Sequence, residues 1–142
     1  MKVLLQNKKV KFDYELLDSY EAGLVLTGSE IKSLILGKAS LTDSYCVIND
    51  FEVFIKSLRI EQYRGEGEPE RNKKLLLHKR EIYKIKEKLE QKGLTLVPVK
   101  IYLKDKKAKV EICIARGKKN FDKRESIKEQ DLKREQNRYV KE

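Results

Sequence analysis

From Tyr14 to Leu26 the chain keeps a period of two. Tyr14, Leu16, Tyr20, Ala22, Leu24 and Leu26 share one parity, while Asp13, Glu15, Ser19 and Glu21 fall largely on the other. Side chains alternate between the two faces of a strand but recur every 3.6 residues around a helix. This stretch is therefore a half-buried strand pair or one long, bent strand. A chain that builds its core this way needs a sheet, and the other segments must supply the partners.

At Thr27 the period switches. Thr27 and Glu30 have capping-box spacing, Ile31, Leu34 and Ile35 form one stripe, and Gly37 supplies a stop, which predicts a short helix. "DSYCVIND" and "FEVFIKSLRI" read as two strands joined by a turn around Asn49 and Asp50, and residues 62–73 as a polar loop. A second helix is predicted from about His78, with Ile82, Ile85 and Leu89 on one stripe and Gly93 as its cap. "LTLVPVKIYLK" and "AKVEICIA" are strands joined by a turn at Asp105 to Lys107, and Pro98 argues for an edge position or a bulge. The fold class is thus mainly β (α+β). Antiparallel strands in this number close into a small barrel or sandwich, and a partly open barrel of the oligonucleotide-binding type, with flanking helices, fits residues 1–117.

Chemistry is scarce. The one histidine, His78, lacks the partners of a hydrolase triad or metal site and reads as a surface or capping residue. No phosphate-binding glycine loop is present, and the carboxylates are scattered among lysines. The residues point away from an enzyme, a metal site or a cofactor. Cys46 and Cys113 stand without ligand spacing and read as buried thiols of a reducing, cytosolic compartment. No apolar run approaches the roughly 20 residues that span a bilayer, and the N-terminal apolar patch is too short for a secretory signal.

What remains is charge. With 33 basic and 23 acidic residues the chain carries a net +10, an excess that favours a polyanionic partner. The cations gather in "QNKKVKFD", "RNKKLLLHKRE", "KDKKAKVE" and "RGKKNFDKRE", each beside an aromatic or an aliphatic run. Cations neutralise phosphates and exposed rings stack on unpaired bases, so the four clusters together favour RNA. From residue 118 to 142 the chain is a basic tail with almost nothing to bury, expected to be disordered alone and to fold on a partner. These residues by themselves support a basic barrel with an RNA-binding tail. They leave open a structural or assembly protein bound permanently to ribosomal RNA.

"YEAGLVLTGSEIKSL", "DSY", "KLLLHKREI", "KGLTLVPVKIYLK" and "VEICIARGKKNFDKRE", in that order, resemble the SsrA-binding protein family, also called small protein B, from about Asn7 to the C-terminus. The resemblance implies a monomeric, cytoplasmic, non-enzymatic RNA-binding protein. It would bind the tRNA-like domain of transfer-messenger RNA (tmRNA) and deliver it to stalled bacterial ribosomes for trans-translation. Elongation factor Tu and alanyl-tRNA synthetase would act indirectly, through that RNA. The RNA-binding residues it implies are Asn7 (before the first strand), Glu21, Leu76 and Lys109. Glu21 would accept from base or 2′-hydroxyl donors and Lys109 would contact phosphate; a salt bridge within the barrel is the alternative for Glu21, and plain core for Leu76. The tail would enter the empty mRNA channel as a helix. Lys118, Lys119, Lys123 and Arg124 would grip ribosomal RNA, Asp122 would orient the turn, Phe121 would stack at the decoding centre, and Tyr139 would lie near the far end. The chain departs from many members in a short 62–73 loop, in beginning close to the first matching residues, and in ending soon after Tyr139.

Overall fold

The structure, a computed structural model, describes residues 1–118. Nine strands and three short helices follow one another: β1 (Lys2–Gln6), α1 (Val10–Asp13), β2 (Tyr14–Leu24), α2 (Gly28–Ile35), β3 (Ala39–Ser40), β4 (Tyr45–Asn49), β5 (Glu52–Lys56), β6 (Arg59–Ile60), β7 (Lys73–Leu76), α3 (Lys79–Leu89), β8 (Leu94–Lys104) and β9 (Lys107–Gly117). The main sheet runs β1-β8-β4-β5-β7-β2-β9, and β9 pairs back onto β8. Every pairing is antiparallel, so six of the strands form a closed ring with β1 added outside it on β8. Closure leaves few unpaired strand edges, which is how a small, highly charged chain avoids edge-to-edge association. β3 and β6 make a separate two-stranded ladder.

The period-two stretch is a single strand, β2, bent by a bulge between Leu16 and Asp18 where it pairs with β9. Its inward residues Ala22 and Leu24 join Val53, Ile55, Leu75, Leu96, Ile101, Val110, Ile112 and Ile114 in the core. Leu34 of α2 and Ile82 and Ile85 of α3 complete that core. A second, smaller cluster lies on the other face of β8 and β9, where Val10 of α1 covers Val97 and Ala115. Both cysteines are buried free thiols, and burial pushes that of Cys113 up to about 11.

Several details depart from the expectations. Pro98 sits at a bulge, between Pro98 and Lys100, but β8 is no edge strand, since β1, β4 and β9 all pair with it. "FEVFIKSLRI" is split in two because Ser57 takes a left-handed φ of 61° that ends β5. The face of α2 that packs inward is Glu30, Ser33 and Leu34, and Ile35 is 48% exposed. Two polar residues can be buried there because each is satisfied: Ser33 donates to the Glu61 carbonyl at 2.6 Å and Glu30 meets Arg71. Gly37, at φ 76°, does end α2: its N–H donates to the Leu34 carbonyl, and that of Lys38 to the Ser33 carbonyl. α3 instead ends on Glu90, and Gly93 serves the turn into β8. β1, α1, β3 and β7 had no counterpart in the sequence reading.

Candidate nucleic-acid interface

Lateral pairing sets one row of residues across the outside of the ring. Leu76 of β7 is opposite Gly23 of β2, Gly23 is opposite Lys109 of β9, and Lys109 is opposite Tyr102 of β8. Directly opposed residues point to the same face, and their parity is opposite to that of the core residues Ala22, Leu24, Leu75 and Val110. Gly23 is the low point of the row. A Cβ there would lie 3.3 Å from Cβ of Leu76, tighter than ordinary contact, so glycine keeps the surface open beside the leucine. Around it lies an open cleft of about 640 Å³, walled by Glu21, Leu76, His78, Lys107 and Lys109 among others.

Glu21, two residues before Gly23 on the same face, brings a carboxylate to the cleft, with Glu111 opposite it on β9 and paired to Lys100. The Tyr102 hydroxyl donates to its Oε2, and Lys104 Nζ lies 3.5 Å from its Oε1. The Tyr102 hydrogen bond, opposed by partial desolvation and assisted by the charges of Lys104 and Lys109, holds the carboxyl below its ordinary 4.5. Tyr102 is itself buried, and burial together with the hydrogen bond to Glu21 raises its phenol. Glu21 thus stays ionised with a fixed orientation. An ionised carboxylate has about four acceptor positions, and Tyr102 and Lys104 take up two, so Glu21, which lines the cleft, keeps acceptor capacity. The internal pairing weighed for Glu21 is present, and it positions the carboxylate without exhausting it. Leu76 is 55% exposed, which removes plain core as its role.

Three of the four expected residues, Glu21, Leu76 and Lys109, are therefore brought together. Asn7 is not. It follows β1 instead of preceding the first strand, its backbone N–H donates to the Val99 carbonyl at 2.8 Å, and its side chain donates to the Pro98 carbonyl at 3.3 Å. It lines two other hollows, of about 320 and 350 Å³, beside α1. Asn7 thereby fixes the bulge in β8 that follows Pro98. Among the tail residues only Lys118 is described; its N–H donates to the Asp13 carbonyl, extending the β2–β9 ladder by one bond. The expectations for Lys119, Phe121, Asp122, Lys123, Arg124 and Tyr139 lie outside the described residues. Sequence reasoning missed Gly23, whose role depends on Leu76 standing opposite it, and Tyr102 and Lys104 of β8, which become neighbours of Glu21 only through pairing across β9. Among the described residues no helix is long and apolar enough to cross a membrane.

Comparison with known proteins gives a consistent answer. The model of the SmpB protein family matches residues 4–142. An SsrA-binding protein of Acidothermus cellulolyticus is 49% identical over 139 residues, covering 94% of this chain and 87% of its own. One from Thermosipho africanus is 46% identical over 146 residues, covering 99% and 98%. A solved chain from "tmRNA-SmpB: a journey to the center of the bacterial ribosome" superposes with a TM-score of 0.70 at 45% identity, covering 84% of this chain and 87% of that one.

Proposed function

The chain belongs to the SmpB family, the SsrA-binding proteins, and from that premise we propose that its Glu21–Leu76–Lys109 face seats the tRNA-like domain of transfer-messenger RNA. The protein is a tmRNA-binding factor of trans-translation, with tmRNA and the ribosome as its partners, and it is not an enzyme. The observation that carries this is the family match from residue 4 to residue 142, which takes in both the sheet face and the segment beyond Lys118. The closed antiparallel ring is read as a barrel of the oligonucleotide-binding type, whose outer face lies along the RNA. In this reading the domain occupies residues 1–117 and works in the cytoplasm. Residues 118–142 engage the decoding centre and the mRNA channel, while elongation factor Tu and alanyl-tRNA synthetase act through the RNA.

The arrangement suits a folded RNA better than a bare phosphate chain. Lys109 attracts phosphate, but Glu21 repels it and rewards only a base or 2′-hydroxyl donor placed opposite. Leu76, standing beside Gly23, offers an apolar contact to a sugar or a splayed base. A salt-series titration with the tRNA-like domain, against an ordinary tRNA of similar size, tests this. Preference for the tRNA-like domain that survives high salt is expected. Equal binding that collapses with salt would leave only phosphate attraction and favour a general ribosomal-RNA binder. Lys109→Ala is expected to weaken the tRNA-like domain several-fold and to reduce the salt slope by about 1, the release of one phosphate contact. An unchanged slope would remove Lys109 from the interface.

A further inference from the structure

On the flank of α3 away from Asp18 and the cleft, two aromatic rings lie exposed. Phe51 is 46% exposed and Tyr83 is 58% exposed, their centroids 5.3 Å apart at an interplanar angle of 43°. Lys86 Nζ lies 4.5 Å from the Phe51 centroid. Arg80 and Lys84 are exposed on the same helix.

Phe51 sits where a phenylalanine is least expected. The β4–β5 hairpin closes between the paired residues Asn49 and Glu52, and both loop residues have positive φ, Asp50 at 49° and Phe51 at 62°. Such a loop favours Asn and Gly, and a bulky ring in the left-handed region is strained. Core packing does not repay the strain, because nearly half of the residue faces solvent. Strained positions concentrate where a binding surface needs a side chain in a set place.

We propose that Phe51, Tyr83 and Lys86 form a second RNA contact, separate from the cleft, that stacks one unpaired base. Tyr83, the more exposed ring, supplies the stacking face. Phe51 props it, and Lys86 brings a cation to the adjoining phosphate. Charge complementarity selects RNA over a protein partner: α3 carries five basic residues against Glu81 and Glu87. One of those cations, Lys88, is drawn to Asp18 on the opposite flank, where Lys84 stands one turn before it; Lys79, Arg80 and Lys86 lie within one turn of Tyr83 on its own flank, with Glu87 the one acidic neighbour there. Stacking on exposed rings beside cations is a general means of holding single-stranded RNA.

The test uses the full chain with a single-stranded 12-nucleotide RNA, added to protein already saturated with the tRNA-like domain. Phe51→Gly and Tyr83→Ala are each expected to weaken the oligonucleotide about tenfold, within the range that removing a stacking ring gives. Phe51→Tyr should keep the wild-type affinity. Phe51→Gly relieves the strained φ, so its Tm should match or exceed the wild type while affinity falls, a pairing that a structural role alone does not give. Affinity for the tRNA-like domain should stay within about twofold, since the patch lies apart from the cleft. Unchanged oligonucleotide affinity in both variants would overturn the proposal, as would a fall in affinity matched by a fall in Tm for Phe51→Gly. Loss of binding to a ribosomal protein with RNA binding intact would also overturn it. Failure of the cleft reading would appear separately, as absent preference for the tRNA-like domain in the unmodified protein.

Discussion

Ending the chain after Lys118 is expected to abolish tagging of nascent peptides on stalled ribosomes, while affinity for the isolated tRNA-like domain changes by no more than about threefold. Ending there keeps the last bond of the β2–β9 ladder, from the Lys118 N–H to the Asp13 carbonyl. Charge supports the division. After Lys118 the chain has eight basic and six acidic residues, so of the total +10 only +2 is removed and +8 stays on residues 1–118. The body thus keeps the field that attracts RNA, and what is lost is the sequence-specific content of the tail. Phe121→Ala should reproduce part of the effect, lowering rescue more than it lowers RNA binding. Binding and tagging assays run side by side decide the matter. A large loss of affinity for the tRNA-like domain on truncation would sink the split.

Replacing Glu30 by alanine is expected to destabilise the fold by about 3 kcal/mol, the order found when one partner of a buried ion pair is removed. For a domain of this size that lowers Tm by roughly 10–15 °C. Glu30 is only 3% exposed and joins three pieces of chain. Its Oε1 accepts the Thr27 N–H at 2.9 Å, closing the capping box of α2, and Arg71 reaches both oxygens, at 2.6 and 3.3 Å. Arg71 also donates to the Val25 carbonyl at 3.3 Å. Two residues on, Lys73 is fully buried, its ammonium donating to the Leu58 and Pro69 carbonyls at 2.7 and 3.2 Å. Removing Glu30 therefore uncaps a helix, frees the 62–73 loop, and leaves the nearby cations without their carboxylate.

Acid should expose the same group. Burial pushes the Glu30 carboxyl up, but the Arg71 fork, the Thr27 N–H and the charges of Arg71 and Lys73 outweigh it and hold the carboxyl below its ordinary 4.5. As pH falls, the unfolded chain takes up this proton before the folded one does. The stabilisation is complete above pH 4.5 and drains away as pH drops through the lowered value. Denaturant titrations between pH 3 and 7 should show a shallower acid limb in Glu30→Gln than in wild type. Parallel limbs would mean that other carboxylates govern acid unfolding.

How far each element was legible depends on how far apart its determinants lie. β2, the capped start of α2, the start of α3 and the β8–β9 hairpin were readable because their signals lie within a dozen residues: alternation, Thr27 with Glu30, a helical stripe, a polar turn. β7 was not. "KKLL" has no alternation of its own, and its strand identity comes from pairing with β5 and β2. α1, a single turn, is defined by Val10 covering Val97 and Ala115, which are more than 80 residues away. Lys73 reads in sequence as one more surface cation, and only the carbonyls that the 58–69 chain turns toward it make its burial tolerable. Similarly, Ile31, Leu34 and Ile35 fit a helical stripe, yet partners contributed by Glu61 and Arg71 let Ser33 and Glu30 turn inward while Ile35 faces water.

By itself the sequence determined the sheet-dominated fold class, the basic charge that draws a polyanion, the absence of any evident catalytic grouping in its residue pattern, and, through the order of its motifs, the family. Those are properties of short windows and of totals, which need no knowledge of where distant residues meet. The tertiary structure alone decided that Leu76, Gly23 and Lys109 form one row, that Tyr102 and Lys104 hold Glu21, that Asn7 lies elsewhere, and that Phe51 meets Tyr83. Each of these depends on the register between strands or on a helix crossing a turn. A shift of one residue in register moves every side chain to the opposite face, and no local pattern in the sequence records that choice.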